Sequence, residues 1–372
     1  MGTSVPIRRG FHEGGLRGRP LRVSTAKKIK VVLVGMGRMG KNHLRVIREN
    51  TSFELVAVVD SDAPPTDIGA AKRLKTLDEL TGLDFECAVI ATPTGSHHEV
   101  ALKLMEMGKH LLVEKPITST SVQGRDLIAM AQKKNLKMAV GHVERFNPAV
   151  RKLREVIKAG WLGTPIHFSC TRVGGYPQTV LNGNNVLLDL AVHDVDVLRS
   201  LMGPLRMDSA VSHSTVNPEI PDTAEILLHA ANNMSATVHV NWITPSKIRS
   251  IRVTGTRGVC FVDYILQSCE LFGGNMSSAP QYGTDTSFET IQALYKTTDH
   301  VAFGVLKEEP LKVQLQQFHT LLTTGDSGEL CLGRDALAAV MLVERAWKCG
   351  AEKAKPGKAS ETELPLDSDV WV

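Results

Sequence analysis

The sequence predicts an α/β Rossmann unit, a doubly wound parallel sheet, followed by an α+β unit with an open-faced, mostly antiparallel sheet. Three observations predict it. Apolar strand-like runs alternate with helical patterns from Ile29 to Ala159. A glycine-rich turn, Gly35-x-Gly37-x-x-Gly40, follows the first run and opens the first helix. Beyond Gly160 the pattern changes to short segments that alternate apolar with polar residues. A chain of 372 residues is long enough for two units with cores of their own.

The first stretch carries the most information. Ile29–Val34 is a near-continuous apolar run, which suits a parallel strand covered on both faces. Gly35 permits a tight turn, Gly37 lets the backbone approach a pyrophosphate, and Gly40 lets the next helix pack close to the sheet. That helix runs through Glu49 and offers free N–H groups to an anion. A second apolar run, Phe53 to Val59, ends in Asp60, twenty residues beyond Gly40. An acid there can accept hydrogen bonds from both ribose hydroxyls of an adenosine and would repel a 2′-phosphate. NAD is therefore expected rather than NADP, although Lys72 or Arg73 folding back towards the site would change that. An ordinary glycine-rich turn is the weaker reading, because strand, turn, helix and acid occur in the required order.

The rest follows in sequence. The segment after Asp60 is short, with Pro64-Pro65 blocking helix, and is expected to hold one helix, Ile68 to Leu74. Strands are expected at Ala88–Ala91, His110–Val113 and Met138–Val140, with helices at Ser96–Met107, Val122–Lys133 and Pro148–Ala159. In the second half the strands expected are Ile166–Val173, Ser209–Val216, Ala224–Ala230, Ser235–Trp242, Ile248–Thr254, Val259–Asp263 and Cys269–Phe272. Helices are expected around Leu188–Leu201 and at Arg334–Cys349. The units are thus a basic tail at 1–28, a dinucleotide-binding unit at 29–150, a substrate and oligomerisation unit at 151–350, and a polar tail at 351–372.

Composition narrows the function classes. The net charge of +4 is unevenly placed: residues 1 to 30 carry eight Lys or Arg against Glu13, a net of +7, which leaves the remainder at −3. Such a body gives no reason to expect a nucleic-acid partner. The glycine-rich basic tail lacks apolar periodicity and reads as disordered. Arg8-Arg9 lacks the hydrophobic segment of an export signal, and no apolar run approaches the roughly 20 residues of a membrane span. The six cysteines are scattered without a C-x-x-C pair, arguing for a reducing compartment and against a zinc site. The expected location is cytoplasmic, with no membrane partner and no metal.

Three clusters carry candidate chemistry. Thr92-Pro93-Thr94 with His97 follows a strand's carboxyl end, where open α/β sheets bind ligands; His97 is equally well read as an ordinary helix-start residue. Glu114-Lys115-Pro116 follows another, and a lysine beside a nicotinamide can take part in proton transfer. The alternative there is a solvated strand end with a surface ion pair. The third is Asp189-Leu-Ala-Val-His193, followed by Asp194 and Asp196. At i,i+4 on a helix, Asp189 and His193 share one face, so Asp189 is expected to orient the imidazole and His193 to take a hydroxyl proton. Asp194 and Asp196 are accounted for by a polar helix face.

Together these motifs resemble the Gfo/Idh/MocA oxidoreductases, in order from about Ile29 to Cys349. The resemblance implies a Rossmann domain with an open-faced sheet domain, hydride transfer at a sugar or cyclitol carbon, and homo-oligomers, dimers or tetramers, formed through the sheet. It places Lys115, Asp189 and His193 on catalytic positions. It implies a cofactor set of Gly35, Gly37, Arg38, Met39, Gly40, Asp60, Thr92, Pro93, Thr94, His97, Glu114, Lys115, His142 and Arg145. The stretch Val140 to Pro148, with Arg172-Val-Gly-Gly-Tyr176-Pro177, is similar to the nucleotide-sugar 3-dehydrogenases within the family. That narrower likeness implies oxidation of the C3 hydroxyl of UDP-N-acetylglucosamine or a close UDP-sugar, feeding an aminotransferase, for example in lipid A synthesis. Lys115, His142, Arg172, Tyr176, Asp189 and His193 would then face the substrate, Arg172 because a diphosphate favours a guanidinium fork; a strand-exposed cation is the competing reading. Three other functions stay open: a sugar or inositol dehydrogenase of the same family, an NAD-dependent glycosidase, and a non-catalytic NAD-binding regulator.

Overall fold

The computed structural model describes residues 28–62, 66–175, 185–273 and 300–353. Among these, the strands form two sheets. In the first, β1 (Ile29–Val34), β2 (Phe53–Val59), β3 (Lys72–Leu74), β4 (Cys87–Ile90), β5 (His110–Glu114) and β6 (Met138–Gly141) run parallel in the order β6-β5-β4-β1-β2-β3. Helices α1 (Arg38–Glu49), α2 (His97–Glu106) and α3 (Ser121–Lys133) connect them. The central strands are buried on both faces, with Val31 to Leu33, Cys87 to Ile90 and Val113 wholly out of solvent. That is why their sequences read as unbroken apolar runs. The chain order reverses between β1 and β4, so the crevice beyond the carboxyl ends of these strands is where such a sheet takes a ligand.

Helix α4 (Pro148–Lys158) leads into the second sheet. Asn147 caps it by accepting the Ala149 N–H, and Pro148 sits at its first turn, where a missing N–H costs nothing. Strands β7 (Pro165–Val173), β8 (Leu205–His213), β9 (Thr223–Ala230), β10 (Ser235–Asn241), β11 (Ile248–Gly255), β12 (Gly258–Asp263), β13 (Ser268–Gly273) and β14 (His300–Ala302) order as β14-β13-β12-β11-β7-β10-β9-β8. Every pairing is antiparallel except β7 with β10. Alternate residues such as Phe168, Cys170, Val238, Val240, Ile251 and Val253 are buried against α4, α5 (Val192–Met202) and a long final helix. Their neighbours on the opposite parity, such as Leu227 and Phe261, lie on the open face.

Three local expectations are corrected. Ile68–Leu74 is not a helix: Gly69 takes a positive φ and its N–H is bound by Asp67, while Lys72–Leu74 joins the edge of β2 in parallel. A single helical turn cannot meet its nucleation cost when a sheet edge offers a ladder. The strand expected at Ser209–Val216 runs instead from Leu205 to His213, because the Asp222 carboxylate takes the Thr215 and Val216 N–H groups at 2.7 and 2.9 Å. The helix expected around Leu188 begins with a π turn, Leu187–Ala191, before α5.

Within 151–350, the stretch read as the second unit, the chain returns to the first sheet. Helix α6 (Pro310–Thr324) lays Leu311, Leu315, Phe318 and Leu321 on Val31, Leu33 and Phe53, and the Phe318 ring stacks on Phe53 at 6.5 Å. The Lys137 ammonium donates to the carbonyls of Leu321 and Leu322 at its end. A two-residue strand, β15 (Cys331–Leu332), then pairs antiparallel with β6, and α7 (Gly333–Lys353) closes the described chain. Since Phe318 is wholly buried, Phe318→Ala is expected to cost about 3–5 kcal/mol in urea denaturation, whereas a peripheral helix would show little change.

Candidate functional site

The glycine turn is built by close approach. Gly35 has φ +95°, and a Cβ there would lie 2.7 Å from the Ala91 carbonyl and the Thr92 nitrogen. At Gly40 a Cβ would come 2.0 Å from the Gly35 oxygen. Gly37 is different: it caps α1 without a side-chain hydrogen bond, and nothing lies within 4 Å of its Cβ position. Open space therefore faces the unpaired N–H groups of α1, a cradle for an anion. Arg38 is exposed and Met39 half-buried at the helix start. Asp60 closes the turn, its Oδ2 accepting the Met36 N–H at 2.6 Å. Nearby, Arg73 is tied to the Thr66 carbonyl at 2.6 Å.

After β4, the Thr92 hydroxyl is buried without a hydrogen-bond partner among the described residues, and Pro93 leads into a short turn from Thr94 to Ser96. His97 is buried, its ring nitrogens 2.9 Å from the carbonyls of Pro116 and Thr92. It joins the loops after β4 and β5, which favours the structural reading of this residue. Burial pushes its pKa down.

Glu114 is no solvated strand end. It is buried, and its Oε1 accepts from Nε2 of His43 at 2.6 Å. Its carboxylate fills the space above Gly141, where a Cβ would lie 3.0 Å away. Burial alone would raise Glu114, but the His43 hydrogen bond and the Lys115 charge hold it below the usual range. The next residue, Lys115, crosses to the second domain. Its Nζ donates to the Asp189 carbonyl at 2.9 Å and to Oδ1 at 3.2 Å. The other Asp189 oxygen accepts from the Trp242 indole at 3.2 Å. Burial pushes Asp189 up, yet Lys115 and Trp242 outweigh it and keep the carboxylate ionised.

The expected Asp189–His193 couple is corrected. Both oxygens of Asp189 are committed elsewhere, and Nδ1 of His193 is buried without a hydrogen-bond partner among the described residues. The π turn explains this: its wider spacing breaks the stacking that i,i+4 residues have on an α-helix. His193 still lies in the same cluster. Burial, then the positive charges of Lys115 and Arg172, hold its pKa well below the ordinary 6.5, so the ring is neutral. The His142 ring stands perpendicular to it at 6.5 Å; both its nitrogens are buried without a hydrogen-bond partner among the described residues, and Nδ1 lies 3.8 Å from the Asp196 carboxylate.

Two expected ligand contacts are also corrected. Arg145 grips Asp196 through Nε and Nη2, at 2.8 and 2.7 Å, and is buried. Arg172, 1% exposed, holds Asp194 through Nε and Nη2 at 2.8 and 3.0 Å, and Glu144 through Nη1 at 3.0 Å. Both guanidiniums are buried and held by carboxylates inside the protein. Asp194 and Asp196 are accordingly buried partners, not a polar helix face. Tyr176 lies outside the described residues. Among the described residues, His142, Asp196 and Cys331 place ligand atoms within 4.8 Å of one another, but a cation there would meet the Arg145 guanidinium already on Asp196. Sequence reasoning missed His43, Trp242 and Glu144, whose partners lie on other elements.

If Arg172 is framework, Arg172→Met leaves Asp194 buried without its counter-charge. The variant is expected to lose about 3–5 kcal/mol of stability in urea denaturation. Full stability with a selective rise in substrate KM would instead return Arg172 to the ligand.

Residues 29–142 match the sequence profile of an oxidoreductase family with an NAD-binding Rossmann fold, and residues 150–260 match the Gfo/Idh/MocA C-terminal domain. The chain is 26% identical to the UDP-N-acetylglucosamine 3-dehydrogenase of Acidithiobacillus ferrooxidans over 67% of its own length and 78% of that protein. It is 25% identical to an inositol 2-dehydrogenase of Rhizobium meliloti, over 87% of this chain and 98% of the relative. The solved structure of the Acidithiobacillus enzyme superposes with a TM-score of 0.72 at 22% identity, covering 87% of this chain and 98% of that one. With both domains matched and the two-sheet fold in common, this chain is an NAD-dependent oxidoreductase of the Gfo/Idh/MocA family.

Proposed function

We propose that this chain oxidises the C3 hydroxyl of UDP-N-acetylglucosamine, or a close UDP-sugar, to the 3-keto sugar nucleotide. The observation that supports the chemistry is that the Lys115 ammonium, held by Asp189, lies close enough to His193 for its charge to help keep that imidazole neutral, where the strand ends of the first sheet meet the second domain. The named activity of the Acidithiobacillus relative supports the substrate.

The residues fit NAD. The open cradle at Gly37 and the first turn of α1 would hold the pyrophosphate, Asp60 the adenosine ribose, and the unpartnered Thr92 hydroxyl lies at the neighbouring strand end. Bound NAD supplies the acceptor for the hydride from C3. The chain's own residues handle the proton. His193 takes it from the C3 hydroxyl as the carbon–oxygen double bond forms. Two of the three N–H donors of Lys115 are used on Asp189, leaving one to steady the developing negative charge on oxygen. Asp189 thus positions Lys115, in place of the imidazole-orienting role read from sequence.

A 3-keto sugar nucleotide suits an aminotransferase as next partner, and the open face of the second sheet suits a homo-oligomer. The inositol 2-dehydrogenase, matched over nearly its whole length, makes a cyclitol the second reading. Incubation with NAD and either UDP-N-acetylglucosamine or myo-inositol, read by reduced-nicotinamide absorbance and product mass, separates them. NADH and a 3-keto product from the nucleotide sugar support the proposal; turnover of inositol with the nucleotide sugar untouched overturns it. His193→Asn is expected to lower kcat by about 10²–10⁴. The base works only when neutral and its pKa is depressed, so kcat/KM should fall with acid only below pH 6.5. An acid limb centred above that value would contradict the assignment.

A further inference from the structure

Arg249 of β11 stands directly opposite Arg172 of β7 in the antiparallel register. Strand parity puts its side chain on the face shared by Ile251 and Val253, which are buried against the helices. Both guanidiniums therefore face Asp194 and the site cluster from one end of the sheet. Their circumstances differ. Arg172 is buried and bonded through Nε, Nη1 and Nη2, whereas Arg249 is half-buried and makes no side-chain hydrogen bond or ion pair among the described residues.

The nearby acids are already committed. Asp194 gives both oxygens to Arg172, Glu144 bonds Arg172 and Asn147, and Asp189 bonds Lys115 and Trp242. Five guanidinium donors half-removed from water without an acceptor are costly, and the cost is relieved by an incoming anion. The Arg249 charge also reaches the reacting groups, adding to the depression of both Asp189 and His193. Lys247, two residues earlier and exposed, brings a second positive charge to the same strand end.

We propose that Arg249 anchors an oxyanion of the substrate, the diphosphate of a sugar nucleotide or the carboxylate of a sugar acid, beside the Lys115–His193 pair. It takes the place that sequence reading gave to Arg172. A planar fork recognises either oxyanion with paired hydrogen bonds, and a neutral polyol gives it nothing comparable to bind. The inference rests on the catalytic reading above for the position of the reacting carbon, but not on the identity of the sugar.

The test uses the full chain saturated with NADH, titrated calorimetrically with UDP, UDP-N-acetylglucosamine and D-glucuronate. At least one of these is expected to bind, and Arg249→Gln should weaken it by about tenfold or more, with Arg249→Lys restoring part. NADH affinity should stay unchanged in both variants. The proposal is overturned if Arg249→Gln binds the oxyanions as the parent does, if it loses NADH and oxyanion affinity together, or if none of the three binds the parent. UDP affects the diphosphate reading and glucuronate the carboxylate one. Arg249-dependent UDP binding without oxidation of UDP-N-acetylglucosamine supports the anchor and rejects that substrate. Oxidation of it that Arg249→Gln leaves untouched rejects the anchor and keeps the substrate.

Discussion

The ammonium of Lys115 must be paired across the seam between the two domains, and most of the site follows from that constraint. Lys115 stands at the end of a parallel strand, while both acceptors that hold it belong to Asp189 at the start of the helical segment leading into α5. The pair is only partly exposed, so solvent screens it less than a surface bridge, and either charge left alone would be expensive. Parallel contacts close the same seam: Arg145 on Asp196, and Arg172 on Glu144. Beneath Lys115, the His43–Glu114 pair ties the strand end to α1, the helix whose N-terminus opens the anion cradle.

These pairs divide the polar residues into two groups. Arg145, Arg172, Asp194, Asp196 and Glu114 are buried and held in pairs inside the protein. They cannot turn to a ligand without breaking a buried pair. Lys115, His193, His142 and Arg249 keep donors or acceptors in reserve. The framework group is what holds the reserve group in position, which is why so many charges crowd one region of a protein of ordinary composition.

Much of this was legible in the chain itself. The parallel strands and the glycine turn were, because burial on both faces and steric closeness each demand particular residues: Gly35 and Gly40 have no room for a Cβ. The position of Lys115 followed from where β5 ends. What failed depended on partners distant in sequence. Nothing near Arg172 announces that Asp194 and Glu144 will close on it, and the i,i+4 argument for Asp189 and His193 assumed an α-helix where the chain makes a π turn. Helix α6 is a different case, since Pro310 at its start, Leu311, Leu315 and Phe318 at helical spacing, and Gly325 after its end were readable. Arg249 was readable only as one cation among many until register placed it opposite Arg172.

The claim that joins fold to chemistry is that hydrogen leaves C3 of the sugar as hydride at the Lys115–His193 pair. Incubating the protein with NAD and UDP-N-acetylglucosamine deuterated at C3, then measuring the mass of the reduced cofactor, tests it most directly. The account predicts one deuterium in the nicotinamide and a 3-keto sugar nucleotide without it. Reduced cofactor free of deuterium, or none formed at all, would contradict it.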